Sequence, residues 1–127
     1  MADANSRRQL KEIRSQSGNN LCCECGKLNP QWVSVTYAIW ICIECSGKHR
    51  LLGLHISQVK SITMDKWLPK DIDRIRVGGN AAFKEFLESH SDFNPEWTLE
   101  EKYNSLVRAN CGSTFFDRIF CSSRARE

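Results

Sequence analysis

The chain has 127 residues, 41% hydrophobic and 26% charged, which is an ordinary composition for one soluble globular domain. Its formal net charge of +3 is too weak by itself to indicate a nucleic-acid-binding protein, and its longest apolar run, residues 37–43, is too short to span a membrane. The first twenty residues are polar and charged, so we expect no signal peptide, and an odd number of cysteines, seven, favours a reducing compartment, the cytosol or nucleus.

The first predicted element is a short helix near the N-terminus. Ser6 and Gln9 fit a capping box, and Leu10 and Ile13 follow at helical spacing, so we expect a helix over residues 7–15. Its basic side chains either contact an acidic partner or membrane or form a solvated face; they are Arg7, Arg8, Lys11 and Arg14.

Two C-x2-C pairs follow this helix. Cys22 and Cys25 form the first pair, and Cys42 and Cys45 form the second after sixteen intervening residues. Four thiolates at this spacing match one tetrahedral zinc ion, and the alternative is a set of scattered core cysteines. Because four thiolates leave no open position for water, we expect the zinc to be structural and not catalytic.

Two further residues near these pairs are candidate ligands. Cys23 would form only a C-x-C pair with Cys25, so we interpret Cys23 as a packed thiol. His49 lies four residues after Cys45. Since four cysteines already fill the tetrahedron, we expect a structural role for His49.

The remaining elements follow from periodicity and from the positions of glycine, proline and capping residues. We expect strands over residues 32–36, 38–42 and 59–64. We expect a helix over 44–52, closed by Gly53, and a second helix from Pro69, with Ile72 and Ile75 on its apolar face. A third helix has Asn80 as its N-cap and Phe83, Phe86 and Leu87 on its apolar face, and a fourth follows Thr98, which opens a capping box with Glu101. Phe115, Phe116, Ile119 and Phe120 fit one more helical turn.

The fold prediction is a small α+β domain. It has a three-stranded antiparallel sheet and a four-cysteine zinc finger, surrounded by about five helices. We expect one domain over residues 1–127, with its core over about 7–110 and a tail over 111–127 to which no role is assigned.

Arg50 is the residue of the helix over 44–52 that could act chemically. At about 100° per residue it lies about 140° around the helix from Cys45 and so points away from the metal, and Gly47 leaves the surface beside it open. A guanidinium on a metal-braced helix suits phosphate oxygens, whereas the alternative is an ordinary solvated or ion-paired arginine. The sequence has no G-x-x-x-x-G-K-[ST] loop and no nucleophile with its base, so any phosphate that Arg50 contacts must arrive on a partner.

A family resemblance follows from these residues. The run NPQWVSVTYAIWICIECSGKHRLLGLHISQVKSITMDKW resembles the zinc-finger domain of the Arf GTPase-activating proteins, most closely the Golgi-type ArfGAP-one subfamily. The pattern C-x2-C-x16-C-x2-C, followed by four residues and an arginine, matches the two cysteine pairs and Arg50. The resemblance extends over about residues 7–108.

The resemblance implies a function and a set of partners. Arg50 would be an arginine finger that enters the nucleotide site of a GTP-bound Arf-family GTPase; GTP and Mg²⁺ belong to that partner, and the chain has no reaction of its own. The implied Arf-facing residues are Trp32, Ile43, Lys60, Met64 and Asp65, with core packing as the alternative for Trp32 and Met64.

The resemblance also implies a cellular setting. By this resemblance, the protein would be a cytoplasmic monomer that is peripheral at Golgi membranes. It would act in vesicle-mediated protein transport and bind no nucleic acid. Coat proteins and the membrane would be reached through regions outside this chain.

Three positions depart from the family pattern, and two other functions stay open. Ala38 replaces a frequent glycine, Leu51 stands where small or polar residues are common, and Lys60 replaces an arginine and so loses the bidentate fork. The first alternative function is a nucleic-acid-binding zinc finger, although the chain has no strongly basic arm. The second is a silent adaptor that binds Arf·GTP without accelerating hydrolysis.

Overall fold

A computed structural model describes residues 3–16, 18–88, 94 and 96–108, with side chains as far as residue 105. The elements in this part of the chain are α1 (Ala4–Arg14), β1 (Trp32–Ser34), β2 (Ile39–Ile41), α2 (Ile43–Leu52), β3 (Val59–Ser61), α3 (Pro69–Val77), α4 (Asn80–Glu88) and α5 (Leu99–Arg108). The predicted α+β class, with a three-stranded antiparallel sheet and five helices, is confirmed. The helical turn predicted near Phe115 lies outside the described residues. Among the described residues, every helix is too short or too polar to cross a membrane.

The sheet has β1 at its centre, with β2 and β3 antiparallel on its two sides. Val33 pairs with Trp40 on one side and with Lys60 on the other. All residues of β1 and β2 are buried, so these strands are covered on both faces. Because successive side chains of a strand point to opposite faces, the sheet separates two hydrophobic cores.

Each core is closed by helices whose apolar stripes the sequence predicts. On one face, Val33 and Trp40 pack with residues of α1 and α3, which are Leu10, Ile13, Ile72 and Ile75. On the other face, Ile39 and Ile41 belong to a cluster that includes the aromatic residues Tyr37, Phe83, Phe86 and Tyr103. The Tyr37 and Tyr103 ring centroids are 4.9 Å apart, so α5 is packed directly on the hairpin.

The tip of the β1–β2 hairpin packs tightly against the break between α3 and α4. Ala38 is buried and has a left-handed backbone, with φ of 56°, a conformation that costs a non-glycine residue about 1 kcal/mol. A Cβ added at Gly78 would lie 2.5 Å from the Ala38 Cβ, so this junction needs glycine for space.

A network of two buried asparagines joins three elements. The Asn80 Oδ1 accepts the Trp40 N–H at 2.7 Å, and its Nδ2 donates to the Leu21 carbonyl at 2.7 Å. The Asn80 N–H donates to the Asn19 Oδ1 at 2.8 Å, and the Asn19 Nδ2 donates to the Ile13 carbonyl at 3.0 Å. The prediction that Asn80 caps its own helix is therefore wrong: it is the first residue of α4. Its side-chain amide links α4 to β2, and its backbone N–H links α4 through Asn19 to the end of α1.

The helix boundaries give one further correction and one confirmation. Helix α1 starts earlier than predicted, because the Asp3 carboxylate caps it by accepting the Ser6 N–H at 2.7 Å; Ser6 is not the N-cap. At α5, the Thr98 Oγ1 accepts the Glu101 N–H at 3.2 Å, and the Glu101 carboxylate accepts the Thr98 N–H at 3.3 Å. The capping box predicted there is confirmed.

Candidate functional site

The four cysteines of the two C-x2-C pairs converge at one point beside the sheet. The Sγ atoms of Cys22, Cys25, Cys42 and Cys45 all lie within 4.8 Å of one another. Cys25 is exposed and the other three are buried, so the cluster sits at the edge of the core. Four residues of one type, drawn from two distant segments, form a site that can hold a metal ion.

The backbone around the cluster is shaped to present the sulfurs. In the first knuckle, the Cys22 N–H donates to the Lys27 carbonyl at 2.7 Å, and the Gly26 N–H donates to the Cys22 carbonyl at 2.9 Å. In the second knuckle, Cys42 is the N-cap of α2, and its Sγ accepts the Cys45 N–H at 3.5 Å. The Cys22 Sγ accepts the Cys42 N–H at 3.2 Å. Such N–H donors and the N-terminus of a helix both stabilise thiolates.

The donor set fits zinc. Four thiolates at about 2.3 Å from a tetrahedral Zn²⁺ place their sulfurs about 3.8 Å apart, and the Cys25 and Cys42 sulfurs lie 3.5 Å apart. Thiolates are soft ligands that favour zinc over magnesium or calcium. The four sulfurs complete a closed coordination shell, which is the arrangement of a structural and not a catalytic metal.

Cys23 and His49 lie outside the cluster. Burial raises the pKa of the Cys23 thiol to about 12, so it stays protonated at neutral pH. His49 is fully buried, and its Nδ1 lies 2.8 Å from the Ser57 Oγ, which in turn lies 2.7 Å from the Ser34 Oγ. Burial lowers the pKa of His49 to about 4, so the ring is neutral and joins α2 to the strands.

Arg50 lies at the edge of the buried face of α2, about 40° around the helix axis from Ser46. Cys45, Ser46 and His49 are the buried residues of the helix, whereas Arg50 is exposed. Its guanidinium carbon is 4.5 Å from the centroid of the Trp32 ring, and no ion pair to Arg50 is formed within the described part of the chain. The arginine is thus charged, accessible and backed by an aromatic face, which favours its orientation by a cation–π contact.

The Trp32 ring is less accessible than the expected interface anchor. Trp32 is only 8% exposed, because β1 is central in the sheet and Arg50 covers its face. That Trp32 faces a partner stays a prediction. The alternative of core packing describes this side chain, and its outer face supports the arginine.

The other residues expected to face a partner differ in how free they are. Ile43 is 67% exposed and Met64 is 62% exposed. The Asp65 carboxylate accepts the Ser61 N–H at a distance of 2.6 Å, which shapes the turn after β3. Since Ser61 pairs with Trp32 across the sheet, this turn lies at the same end of the sheet as Arg50.

Lys60 is committed to contacts within the chain. Its Nζ donates to the Lys66 carbonyl at 2.9 Å and to the Asp71 carboxylate at 3.0 Å, and it lies 5.6 Å from the Trp67 ring centroid. These contacts anchor the start of α3 to β3. A single ammonium satisfies both acceptors, so the bidentate fork of an arginine is not needed for them.

The sequence interpretation missed the role of Glu24. This residue lies inside the first cysteine pair, and its side chain is buried. Its carboxylate accepts hydrogen bonds from the Lys102 Nζ at 3.0 Å and from the Tyr103 hydroxyl at 2.9 Å. The metal knuckle therefore holds α5 against the domain; a carboxylate between two metal-ligating cysteines is the only local signal that could have indicated this.

Comparisons with known proteins agree with this geometry. The family model ArfGap, described as "Putative GTPase activating protein for Arf", matches residues 7–122. The chain is 43% identical over 89 residues to "ADP-ribosylation factor GTPase-activating protein GCS1" of Saccharomyces cerevisiae, which covers 70% of this chain and 25% of that protein. It is 41% identical over 97 residues to "ADP-ribosylation factor GTPase-activating protein 3" of Macaca fascicularis, covering 76% and 18%.

A solved structure with the same fold extends this likeness to almost the whole chain. It is the crystal structure of a "putative GTPase activating protein for ADP ribosylation factor" from Cryptosporidium parvum, with a TM-score of 0.77 and 27% identity over 96% of this chain and 94% of that one. By contrast, the chain spans only about a quarter or less of the yeast and macaque relatives.

Proposed function

The chain belongs to the ArfGap family, and from this premise we propose that it is a GTPase-activating domain that stimulates GTP hydrolysis by a small Arf-family GTPase. The names of the yeast and macaque relatives support this function. The observation that carries it is the placement of Arg50: an exposed arginine without an ion-pair partner among the described residues, on a helix whose N-cap is one of the four clustered cysteines.

In the proposed mechanism Arg50 is an arginine finger. GTP, Mg²⁺ and the residue that positions the attacking water belong to the GTPase, and the chain carries out no reaction of its own. The Arg50 guanidinium contacts the γ-phosphate oxygens and neutralises charge that develops in the transition state. Such a finger raises the rate by about 10³–10⁵-fold, equivalent to about 4–7 kcal/mol.

Trp32 orients the finger in this proposal. The indole face holds the guanidinium outward before the partner arrives, which reduces the conformational entropy lost on binding. The contact is worth about 0.5–1 kcal/mol at an exposed site, so the arginine can exchange the ring for phosphate oxygens at little cost.

The metal at the four cysteines is proposed to be one structural Zn²⁺. Cys22, Cys25, Cys42 and Cys45 would hold it, and when bound it would supply folding energy on the order of 10 kcal/mol. Because Cys42 is also the N-cap of α2, the metal fixes the start of the helix that presents Arg50. No chemistry at the phosphate passes through it.

The docking surface in this proposal surrounds Arg50. The exposed side chains of Ile43 and Met64 supply apolar contact area. Trp32 and Asp65 support the surface from within, since one backs the arginine and the other shapes the β3 turn. Lys60 lies in β3 just before the same turn. Because its ammonium is already paired with Asp71, it would make only a minor contact with the GTPase.

The cellular setting is proposed on the same basis. We place the protein in the cytoplasm, peripheral at Golgi membranes, as a monomer in vesicle-mediated protein transport. Contacts with coat proteins and membrane would belong to regions such as those by which the curated relatives exceed this chain in length.

Single-turnover GTP hydrolysis by a purified, GTP-loaded Arf-family GTPase tests the proposed function. The wild-type chain should accelerate hydrolysis, whereas Arg50→Lys should lose at least 10³-fold of the stimulation with unchanged zinc content and melting temperature. Full activity of Arg50→Lys would refute the finger. A wild-type chain that binds the GTPase without accelerating hydrolysis would identify a silent adaptor, and steeply salt-dependent DNA binding would identify a nucleic-acid-binding finger.

A further inference from the structure

Helix α2 exposes two of its large apolar side chains. Its buried residues are Cys45, Ser46 and His49, whereas Ile43 and Leu51 are exposed. Leu51, with 89% of its surface exposed, is the most exposed large hydrophobic side chain of the described residues. A helix that packs only on its own domain places such residues on the core side, as it does Leu52, which packs on the core. Ile43 and Leu51 therefore serve something other than the fold.

These apolar residues share one face with the arginine. Ile43, Gly47, Arg50 and Leu51 occupy positions i, i+4, i+7 and i+8, which fall on one side of an α-helix; we call this the exposed face of α2. A Cβ added at Gly47 would meet no atom of the chain within 4 Å. The space above the middle of the face is therefore open, and the fold does not require a glycine there.

The position of Arg50 within this face determines what its neighbours meet. Leu51 is one residue further along the helix, a rise of about 1.5 Å and a turn of about 100°, and Gly47 lies between Arg50 and Leu51 around the helix axis. A partner that brings a phosphate to the Arg50 guanidinium must place its own surface over both. The apolar residues and the arginine therefore face the same molecule.

We propose, resting on the function proposed above, that Leu51 is a specificity-determining contact for the GTP-bound GTPase. Its side chain packs on an apolar part of the GTPase surface that borders the nucleotide site, and Gly47 allows the backbone of the GTPase to approach the helix closely. Burial of a side chain that is almost fully exposed in the free chain strengthens docking. Since Leu51 does not touch the nucleotide, it acts on affinity and leaves the chemical step to Arg50.

The test compares two exposed leucines. Leu51→Gln removes the proposed contact, and Leu28→Gln is the matched control, because Leu28 is 69% exposed and lies in the first cysteine knuckle outside α2. Both variants should keep the melting temperature of the wild type, since substitutions of exposed side chains change stability little. Single-turnover hydrolysis is measured against concentration of the zinc-loaded chain, and affinity is measured separately by titration into the GTPase loaded with a non-hydrolysable GTP analogue.

We expect Leu51→Gln to raise the half-saturating concentration and the dissociation constant about five- to tenfold, equivalent to about 1–1.4 kcal/mol, with the saturating rate unchanged and Leu28→Gln like the wild type. Wild-type values for Leu51→Gln, or an equal loss in Leu28→Gln, would overturn the assignment while a strong defect in Arg50→Lys left the proposed function standing. If the wild type bound the GTPase without accelerating hydrolysis, the affinity titration would still show whether Leu51 contributes to binding. Neither binding nor stimulation by the wild type would refute both proposals.

Discussion

Substitution of Gly47 by alanine should change folding stability and partner activation in opposite directions. Gly47 lies inside α2, and its left-handed freedom is not used, because the residue is helical. Alanine has a higher helix propensity than glycine by about 0.5–1 kcal/mol in an exposed helix interior. The added Cβ meets nothing in the chain, so the full gain is expected in the isolated domain.

The cost should appear only in the complex. If the GTPase backbone lies directly over Gly47, an added methyl group overpacks the interface and costs about 1–3 kcal/mol, or about 5- to 150-fold in the half-saturating concentration. Thermal unfolding of the zinc-loaded chain should show a melting temperature about 2–8 °C higher. Single-turnover GTP hydrolysis should show weaker docking by the same protein.

The control is Lys48→Ala, which alters an exposed neighbour on α2 away from the face that carries Arg50. It should leave half-saturation close to that of the wild type. A Gly47→Ala chain that gains stability and keeps wild-type stimulation would refute the close approach. A Gly47→Ala chain that loses stability would show that the fold itself requires this glycine, contrary to the open space above it.

Three further predictions concern the scaffold. Asn80→Ala leaves the buried Trp40 N–H and the partly buried Leu21 carbonyl without their partners, so urea titration should show a loss of about 2–4 kcal/mol; an equally stable variant would contradict the structural role of the amide. Cys45→Ser should abolish stoichiometric zinc binding and cooperative unfolding, whereas Cys23→Ser should retain both, and equal zinc loss in the two variants would contradict the assignment of the ligands. Burial is the main cause that lowers the pKa of His49 to about 4 from 6.5, with smaller opposing effects of Glu24 (raising) and Lys102 (lowering). The unfolded state therefore binds a proton first as the pH falls, so stability declines between about pH 6.5 and 4 by roughly 3 kcal/mol; His49→Gln should show a shallower decline over this range, and an unchanged slope would refute the role of the imidazole.

The features that could be predicted from the sequence are those with local signals. The two C-x2-C pairs have fixed spacing, and the structure brings their sulfurs together. The hairpin strands follow β-prone runs, and α3 and α4 follow apolar stripes that the structure buries, as does Tyr103 of α5. In each case, residues close in the chain specify one element, so a single sequence contains enough information.

The features that could not be predicted depend on distant residues. The amides of Asn19 and Asn80 meet across 61 positions, and an asparagine after a glycine pair reads equally well as a helix cap. The burial of Trp32 depends on β3 pairing with β1 and on Arg50 lying over the ring. Asp3 and Ser6 are both possible N-caps of α1, and aspartate and serine have similar N-cap propensities. The sequence alone therefore does not decide which of the two residues begins the helix.

The exposed apolar side chains of α2 have a consequence for how such a domain can diversify. The buried residues of α2, Cys45, Ser46 and His49, lie on one side of the helix, and the exposed side chains at positions 43 and 51 lie on the other. The side chains at positions 43 and 51 therefore contribute little to the buried core. If Leu51 determines specificity as proposed, substitutions at these positions can alter partner choice with little effect on folding stability. The metal-tethered framework would act as a constant platform on which new recognition surfaces are sampled.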